Sequence, residues 1–213
     1  MTVNIDRSIP VNSTLRLWFM LALLLFIGGC SSSASVQVAS PFPKVLAEPK
    51  AISVAIVFDE TFTSYNAQPN KNTQIDIGSA QVELFENAFR GLFDPVQFVS
   101  SVEAIEGQVA LVITPSVREV QVSTPSENYL NVFEVWIKYN LDIKTADGQI
   151  LSNWFMPAYG KTPDAFMASK SAAIENATIT AIRDAGAKLL LDFYRIPAVY
   201  GWISRQSKQG DEN

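Results

Sequence analysis

Residues 133–143 read FEVWIKYNLDI, an alternation of apolar and polar side chains with one exception. Because successive side chains of a β-strand point to opposite faces, the alternation predicts a strand with one face in the core and the other mostly in water. Trp136 is the exception, since it is a large aromatic residue on the polar face. It either belongs to a surface for a partner or packs within the protein's own structure.

A partner strand is predicted directly downstream. Asp147-Gly148 is a dipeptide that tolerates positive φ at both central positions of a turn, and residues 150–159 then return as a second strand. A two-residue turn fixes the pairs on the core face, which are Leu141 with Trp154 and Tyr139 with Met156.

Upstream, the pattern predicts a further strand and a first helix. Residues 51–58 are almost continuously apolar, which suits a central strand that is covered on both faces. Residues 59–74 are polar and show neither period, which predicts a long surface loop. Apolar side chains at helical spacing then run from Ile77 to Leu92, and the helix should end before Asp94-Pro95.

The remaining elements complete the predicted fold. Short strands are expected at residues 96–99 and 109–113, with a bulge or an edge position at Pro115. Thr162-Pro163-Asp164 predicts the start of a long alanine-rich helix that ends near Phe193. The order predicts an α+β fold, with a single, mostly antiparallel sheet of four to five strands and two helices packed on it.

Residues 1–29 are predicted to be an export signal. Arg7 and Arg16 precede an apolar run, residues 17–27, which as a helix spans about 16 Å. A bilayer's hydrocarbon core is roughly 30 Å thick, so the run is too short to cross it and is typical of a signal peptide. It leads into Ile27-Gly28-Gly29-Cys30, which resembles the bacterial lipobox.

The lipobox resemblance implies a lipid anchor. In lipoproteins with this motif the cysteine thiol receives a diacylglycerol, the peptide is cut before the cysteine, and the new amine is usually acylated with a fatty acid such as palmitate. Cys30 is then the lipid attachment site; the alternative is a buried cysteine at the end of an uncleaved signal anchor. Ser31 follows, where lipoproteins kept at the inner membrane of enteric-like bacteria typically carry aspartate. The resemblance therefore implies the periplasmic face of the outer membrane.

Composition divides the rest of the chain into three parts. Residues 30–48 are rich in serine and then contain proline, which predicts a flexible tether. Residues 49–203 contain the predicted strands and helices and are expected to form one periplasmic domain. Residues 204–213 are expected to be a polar tail.

The residue types that are missing exclude most catalytic chemistry. The 213 residues include no histidine and one cysteine, which removes the usual acid–base side chain, the commonest metal ligand and any cysteine cluster. The net charge is −5 and no cationic cluster is present, which argues against a nucleic-acid partner. Carboxylates such as Asp59 and Glu60 are expected to be solvated rather than paired for catalysis. We therefore expect no catalytic residues, no cofactor, no metal and no nucleic-acid partner.

The hairpin pattern from Ile137 to Leu151, followed by the alanine-rich helix, resembles the periplasmic domains of the curli-secretion lipoprotein and related envelope accessory lipoproteins. This resemblance implies a non-enzymatic accessory or assembly factor of an envelope machine. Such a protein acts through contacts with other envelope proteins or with copies of itself.

Aromatic residues are the candidates for the partner surface. Trp136 is one, and Tyr200 and Trp202 lie in an apolar segment, residues 197–203, beyond the last predicted helix. That segment either binds a partner or packs back over the edge of the sheet. The alternative function is a carrier or sensor for a lipid or glycan, with an apolar pocket between sheet and helices that the loop at residues 59–74 gates.

Overall fold

The computed structural model describes residues 34–38, 42, 46, 48–164 and 169–210, with the side chains of residues 207–210 excepted. The chain divides into two units, Met1–Ser32 and Ser33–Asn213, and every described residue belongs to the second. Cys30, the predicted lipid attachment site, lies outside the described residues.

The described residues contain eight strands and five helices in the following order. They are β1 (Ala34–Gln37), β2 (Val54–Val57), α1 (Glu60–Thr63), β3 (Asn66–Asn70), β4 (Thr73–Asp76), α2 (Gly78–Leu92), β5 (Val96–Val99), β6 (Leu111–Ser123), α3 (Pro125–Asn128), β7 (Val132–Thr145), β8 (Ile150–Pro163), α4 (Lys170–Asp192) and α5 (Pro197–Gly210). A short 3-10 turn, Phe193–Arg195, joins α4 to α5.

The strands of the described part form two sheets. The larger has the order β5-β2-β6-β7-β8, in which β2 runs parallel to β5 and β6 while β6, β7 and β8 are antiparallel. The smaller has the order β1-β4-β3, with β1 parallel to β4. The predicted single, mostly antiparallel sheet with two helices is therefore wrong. Parallel neighbours need a crossover connection, and α2 supplies it between β2 and β5.

The smaller sheet arises where the sequence predicted no regular structure. Residues 59–74, predicted as a loop, form α1 and most of the β3–β4 hairpin, so that prediction is wrong. These strands are short and bury few side chains, among them Ala67 and Ile75, so they leave little periodicity in the sequence. The structure also differs from the expected tether, because Ala34 and Val36 are buried in β1.

The long hairpin confirms the predicted register. Leu141 pairs with Trp154 and Tyr139 pairs with Met156. The predicted helix start at Thr162 is wrong, because Thr162 pairs with Phe133 and is buried in β8. Helix α4 instead begins at Lys170, where the Oγ of Ser169 accepts a hydrogen bond from the backbone N–H of Ala172 at 3.2 Å.

One further prediction, a bulge or an edge position at Pro115, is corrected. Pro115 lies inside β6 and pairs with Leu141, whereas the register shift occurs later, between Val117 and Glu119. Helix α5 continues to Gly210 and so includes most of the predicted polar tail.

Aromatic rings fill the core between the larger sheet and α2 and α4. Fully buried rings pack in contact with one another, and they come from Phe62, Phe85, Phe89, Phe93, Tyr139 and Phe193. Gly186 of α4 approaches α2 so closely that a Cβ there would lie 2.9 Å from Leu84 Cδ1. The space in which an apolar ligand pocket was expected is therefore occupied by the protein's own side chains.

One of the two edges of the larger sheet, strand β8, is covered at its middle by helix α4. The backbone N–H of Tyr159 in the edge strand β8 donates to Asp184 Oδ2 at 2.9 Å, and Lys188 Nζ donates to the carbonyl of Pro157 at 2.6 Å. These bonds satisfy backbone groups that another strand would otherwise pair with. None of the helices in the described ranges has the length and apolarity needed to cross a bilayer.

Candidate interaction surface

One face of the larger sheet turns away from α2 and α4 and carries aromatic and polar side chains. We call it the outer sheet face and define it by six residues of β6, β7 and β8, which are Arg118, Glu119, Trp136, Lys138, Phe155 and Tyr159. All six are exposed or half-buried. Side chains alternate along β7 and β8, so the other parity of those strands fills the core. In β6 the register shift between Val117 and Glu119 lets the neighbours Arg118 and Glu119 both lie on this face.

Two aromatic rings are in contact on this face. Trp136 and Tyr159 are cross-strand partners whose ring centroids lie 4.4 Å apart with the planes tilted by 40°. The Tyr159 hydroxyl donates to Glu134 Oε1 at 2.6 Å. Partial burial, this hydrogen bond and the carboxylate charge raise the pKa of Tyr159 to about 12, so the phenol stays a neutral donor near neutral pH. Trp136 is held by its neighbour yet remains 40% exposed.

An arginine organises the next part of the face. The Arg118 guanidinium donates to Asn140 Oδ1 at 2.8 Å and to Asn153 Oδ1 at 3.2 Å. Its central carbon also lies 5.7 Å from the ring centroid of Phe155, which is a cation–π distance. Phe155 is 46% exposed. The arginine therefore keeps a large apolar ring in place beside groups that can form hydrogen bonds.

The outer sheet face also carries an ion pair. Lys138 Nζ lies 2.6 Å from Glu119 Oε2, and Gln121 Nε2 donates to Glu119 Oε1 at 2.7 Å. These hydrogen bonds lower the pKa of Glu119. A cavity of about 440 Å³ runs along the edge of the face between Pro69 and Trp136.

Trp202 and Tyr200 lie on α5, and the helix places them differently. Trp202 is only 8% exposed and lines a cavity of about 560 Å³ that Thr145 also lines, so this part of the segment packs back on the protein. Tyr200 is 66% exposed and lines a second cavity, of about 770 Å³, with Lys50 and Arg195.

The three predicted residues therefore do not form one surface. Trp136 and Thr145 belong to the same strand, and the nine residue steps between them correspond to about 30 Å. Trp202 lies near the Thr145 end. Sequence reasoning also missed Tyr159 and Phe155, although the predicted hairpin register already pairs Trp136 with Tyr159.

Comparison with known proteins assigns no family. No family model matches the chain, and no curated protein matches it. Among solved structures, it is similar to a DUF330 protein from Xanthomonas campestris, with 12% identity and a TM-score of 0.44 over 85% of this chain and 98% of that one. It is also similar to a "putative lipoprotein" from Caulobacter crescentus CB15, with 14% identity and a TM-score of 0.38 over 65% and 86% of the two chains.

A third similar structure is a "putative neuraminyllactose-binding hemagglutinin homolog" from Helicobacter pylori. Its identity is 14% and its TM-score 0.49, with 82% of this chain and 100% of that one covered. Likenesses this remote assign neither an activity nor a partner to the chain.

Proposed function

We propose that this chain is a lipid-anchored envelope protein that acts without catalysis, by docking another envelope protein on its outer sheet face. The exposed contact between the tilted rings of Trp136 and Tyr159 is the observation that carries the docking proposal. The anchor is proposed from the sequence around Cys30, and the periplasmic face of the outer membrane is proposed from Ser31.

The residue types of the outer sheet face support a protein partner. Tryptophan, tyrosine, phenylalanine and arginine are enriched in the centres of protein interfaces, where a few of them supply most of the binding free energy. Trp136, Tyr159, Phe155 and Arg118 bring all four types together on three adjacent strands.

The arrangement is also ordered before any partner arrives. Immobilising a flexible side chain at an interface costs about 0.5–1.5 kcal/mol. On this face the ring of Trp136 already packs against Tyr159 and Arg118 is already hydrogen-bonded, so much of this entropy cost is met when the domain folds and not when the partner binds.

The charges of the face favour a particular kind of partner. Glu119 and Lys138 neutralise each other, and Arg118 is bonded to neutral amides. A polyanion or a polycation would therefore gain little electrostatic binding free energy on this face. A partner surface that is apolar and has a few hydrogen-bonding groups is complementary to it.

The anchor is tested by mass spectrometry and detergent partition. The parent protein should have the mass of a chain that begins at Cys30 and carries fatty acyl chains, and it should enter the detergent phase. Cys30→Ser should abolish both properties. A parent protein whose mass shows no acyl chains and whose detergent partition equals that of Cys30→Ser contradicts the anchor.

The docking surface is tested by crosslinking in intact cells, followed by binding measurements with the purified partner. Trp136→Ala is expected to weaken the Kd about 30-fold, in the range of a central interface tryptophan. Leu191→Ala on α4 is the control, because Leu191 is 65% exposed but lies off the outer sheet face. Equal Kd values for the two variants contradict the proposal.

The cavity beside α5 favours a second candidate, a carrier or sensor for an amphipathic anion. Lys50 Nζ lies 5.0 Å from the Tyr194 ring centroid, and the same cavity carries Arg195 and the exposed Tyr200. Native mass spectrometry of the purified protein tests it: a copurifying lipid lost in Tyr200→Ala supports the carrier, and an unliganded mass in every preparation contradicts it.

A further inference from the structure

The loop between β6 and β7 exposes two adjacent apolar side chains. Tyr129 is 88% exposed and Leu130 is 66% exposed. Apolar side chains that are exposed one at a time are common on protein surfaces, whereas two adjacent ones form a small apolar patch that is available for contact. The pair forms an apolar tip on the surface of the domain, and we call it the Tyr129-Leu130 tip.

The loop that carries the tip is held firmly. Thr124 and Glu127 form a capping box at its start, in which the Thr124 backbone N–H donates to Glu127 Oε2 at 2.7 Å. Asn128 then bridges the loop, since its Nδ2 donates to the Val132 carbonyl at 2.9 Å and its Oδ1 accepts from the Leu130 N–H at 2.9 Å. The two apolar side chains therefore point outward from a fixed backbone.

The tip lies at the end of the domain where the N-terminal segment enters. The backbone N–H of Ala34, the first residue of β1, donates to the Asn72 carbonyl at 2.7 Å in the turn between β3 and β4. Pro69, just before that turn, lines a cavity together with Ser123, the last residue of β6. The start of β1, the β3–β4 turn and the loop after β6 thus share one end.

Chain length relates this end to the proposed anchor. Four residue steps separate Cys30 from Ala34, and an extended chain covers at most about 14 Å in that distance. Strand β7 alone has 14 residues, which is about 45 Å along the sheet. A lipid attached at Cys30 is therefore near the end that carries the tip and far from the β7–β8 turn.

We propose that Tyr129 and Leu130 insert into the lipid bilayer to which Cys30 is attached. The inference rests on the proposed anchor, because chain length is what makes a bilayer the occupant. Tyrosine suits the interface between headgroups and acyl chains, and leucine suits the hydrocarbon just below it. Insertion adds a second point of attachment and so restricts the orientation of the domain relative to the bilayer.

The experiment compares two labelled positions with nearly equal exposure. Leu130→Cys is matched by Ile150→Cys, since Ile150 is 69% exposed and begins β8 at the opposite end. In the acylated protein the Cys30 sulfur is blocked, so the introduced cysteine is the single thiol that an environment-sensitive fluorophore can modify. The labelled proteins are reconstituted in vesicles of phosphatidylethanolamine and phosphatidylglycerol, with and without nitroxide-bearing lipids.

The emission of the label at position 130 is expected to shift to shorter wavelengths, and the nitroxide-bearing lipids are expected to quench most of its fluorescence. The label at position 150 should show neither change. Equal, water-like emission at both positions overturns the proposal, provided that the protein floats with the vesicles and carries acyl chains. A protein that lacks acyl chains and does not float with the vesicles contradicts the anchor. Failure of the anchor is thereby distinguished from failure of the insertion.

Discussion

The two faces of the β7–β8 hairpin are made of the same two strands and have opposite surroundings. On the inner face Tyr139 and Leu141 are completely buried against helices, and backbone atoms approach one another closely at Gly160. On the outer face Trp136 and Phe155 keep 40% and 46% of their surface in water. The comparison teaches that the inner face sets the stability of the domain, which leaves the outer face available for binding.

The largest expected effect is at Gly160. A Cβ at this position would overlap the carbonyl oxygen of Ala177 and the backbone nitrogen of Ala181 in α4, so Gly160→Ala must push the helix off the sheet. We expect a loss of at least about 3 kcal/mol in the free energy of unfolding, measured by urea denaturation. Gly201→Ala is the control, since its Cβ would meet only Arg205 Nη1 at 3.6 Å, and it should be neutral or slightly stabilising. A stable Gly160→Ala protein would show that the close approach does not hold.

Adjacent positions on the two faces give the next largest difference. Ile137→Ala removes a fully buried side chain and should cost about 2–5 kcal/mol of unfolding free energy. Trp136→Ala, one residue away, should cost about 1 kcal/mol, because it removes one exposed ring contact. Urea denaturation of both variants measures the contrast, and equal losses would mean that the outer face also supports the fold.

A smaller effect concerns a hydroxyl on the inner face. The Oη of Tyr139 is buried and has no hydrogen-bond partner in the described part of the chain, and burial raises its pKa. Tyr139→Phe removes this uncompensated group and should raise the free energy of unfolding by about 1 kcal/mol. Tyr194→Phe is the control and should lower it by a similar amount, because the Tyr194 hydroxyl donates to the Leu92 carbonyl. Destabilisation by Tyr139→Phe would reveal a partner for that hydroxyl.

The smallest effect is the pH dependence of the ion pair on the outer face. Hydrogen bonds from Lys138 and Gln121 lower the pKa of Glu119 in the folded protein. A lowered pKa means that the stabilisation is present above the unfolded pKa of roughly 4.3 and is lost as the pH falls through the folded value. Glu119→Gln should remove this small acid-side decrease in the urea midpoint, and salt should reduce it in the parent. A pH profile identical in the two proteins would contradict the assignment.

The hairpin was predictable because its two faces differ so strongly. Alternation from Phe133 to Ile143 was sufficient to predict the pairing of Tyr139 with Met156, which the structure confirms. The predicted two-residue turn differs from the observed one, in which the N–H of Gly148 donates to the Thr145 carbonyl and only Gly148 has positive φ. The same register placed Tyr159 beside Trp136, so the main feature of the candidate surface was within reach of the sequence.

Other parts were not predictable because their signals are weak or non-local. The β3–β4 hairpin buries only a few side chains, among them Ala67 and Ile75. In β1 the apolar residues Ala34 and Val36 alternate with polar ones inside a serine-rich segment. The parallel pairing of β2 depends on where α2 returns the chain, which no local pattern determines. Burial of Trp202 likewise depends on how α5 packs.

The hydrogen bonds that join Asp184 and Lys188 to the edge strand β8 matter more for a protein that is anchored to a membrane. Copies of a lipid-anchored protein are confined to one membrane surface. The same number of molecules would meet less often if they were dissolved in solution. Such encounters bring the edge strands of two molecules close together. Unpaired edge strands can pair with each other, which leads to aggregation. Because the side chains of Asp184 and Lys188 already bond the N–H of Tyr159 and the carbonyl of Pro157, these two backbone groups are not open to a strand of a neighbouring molecule.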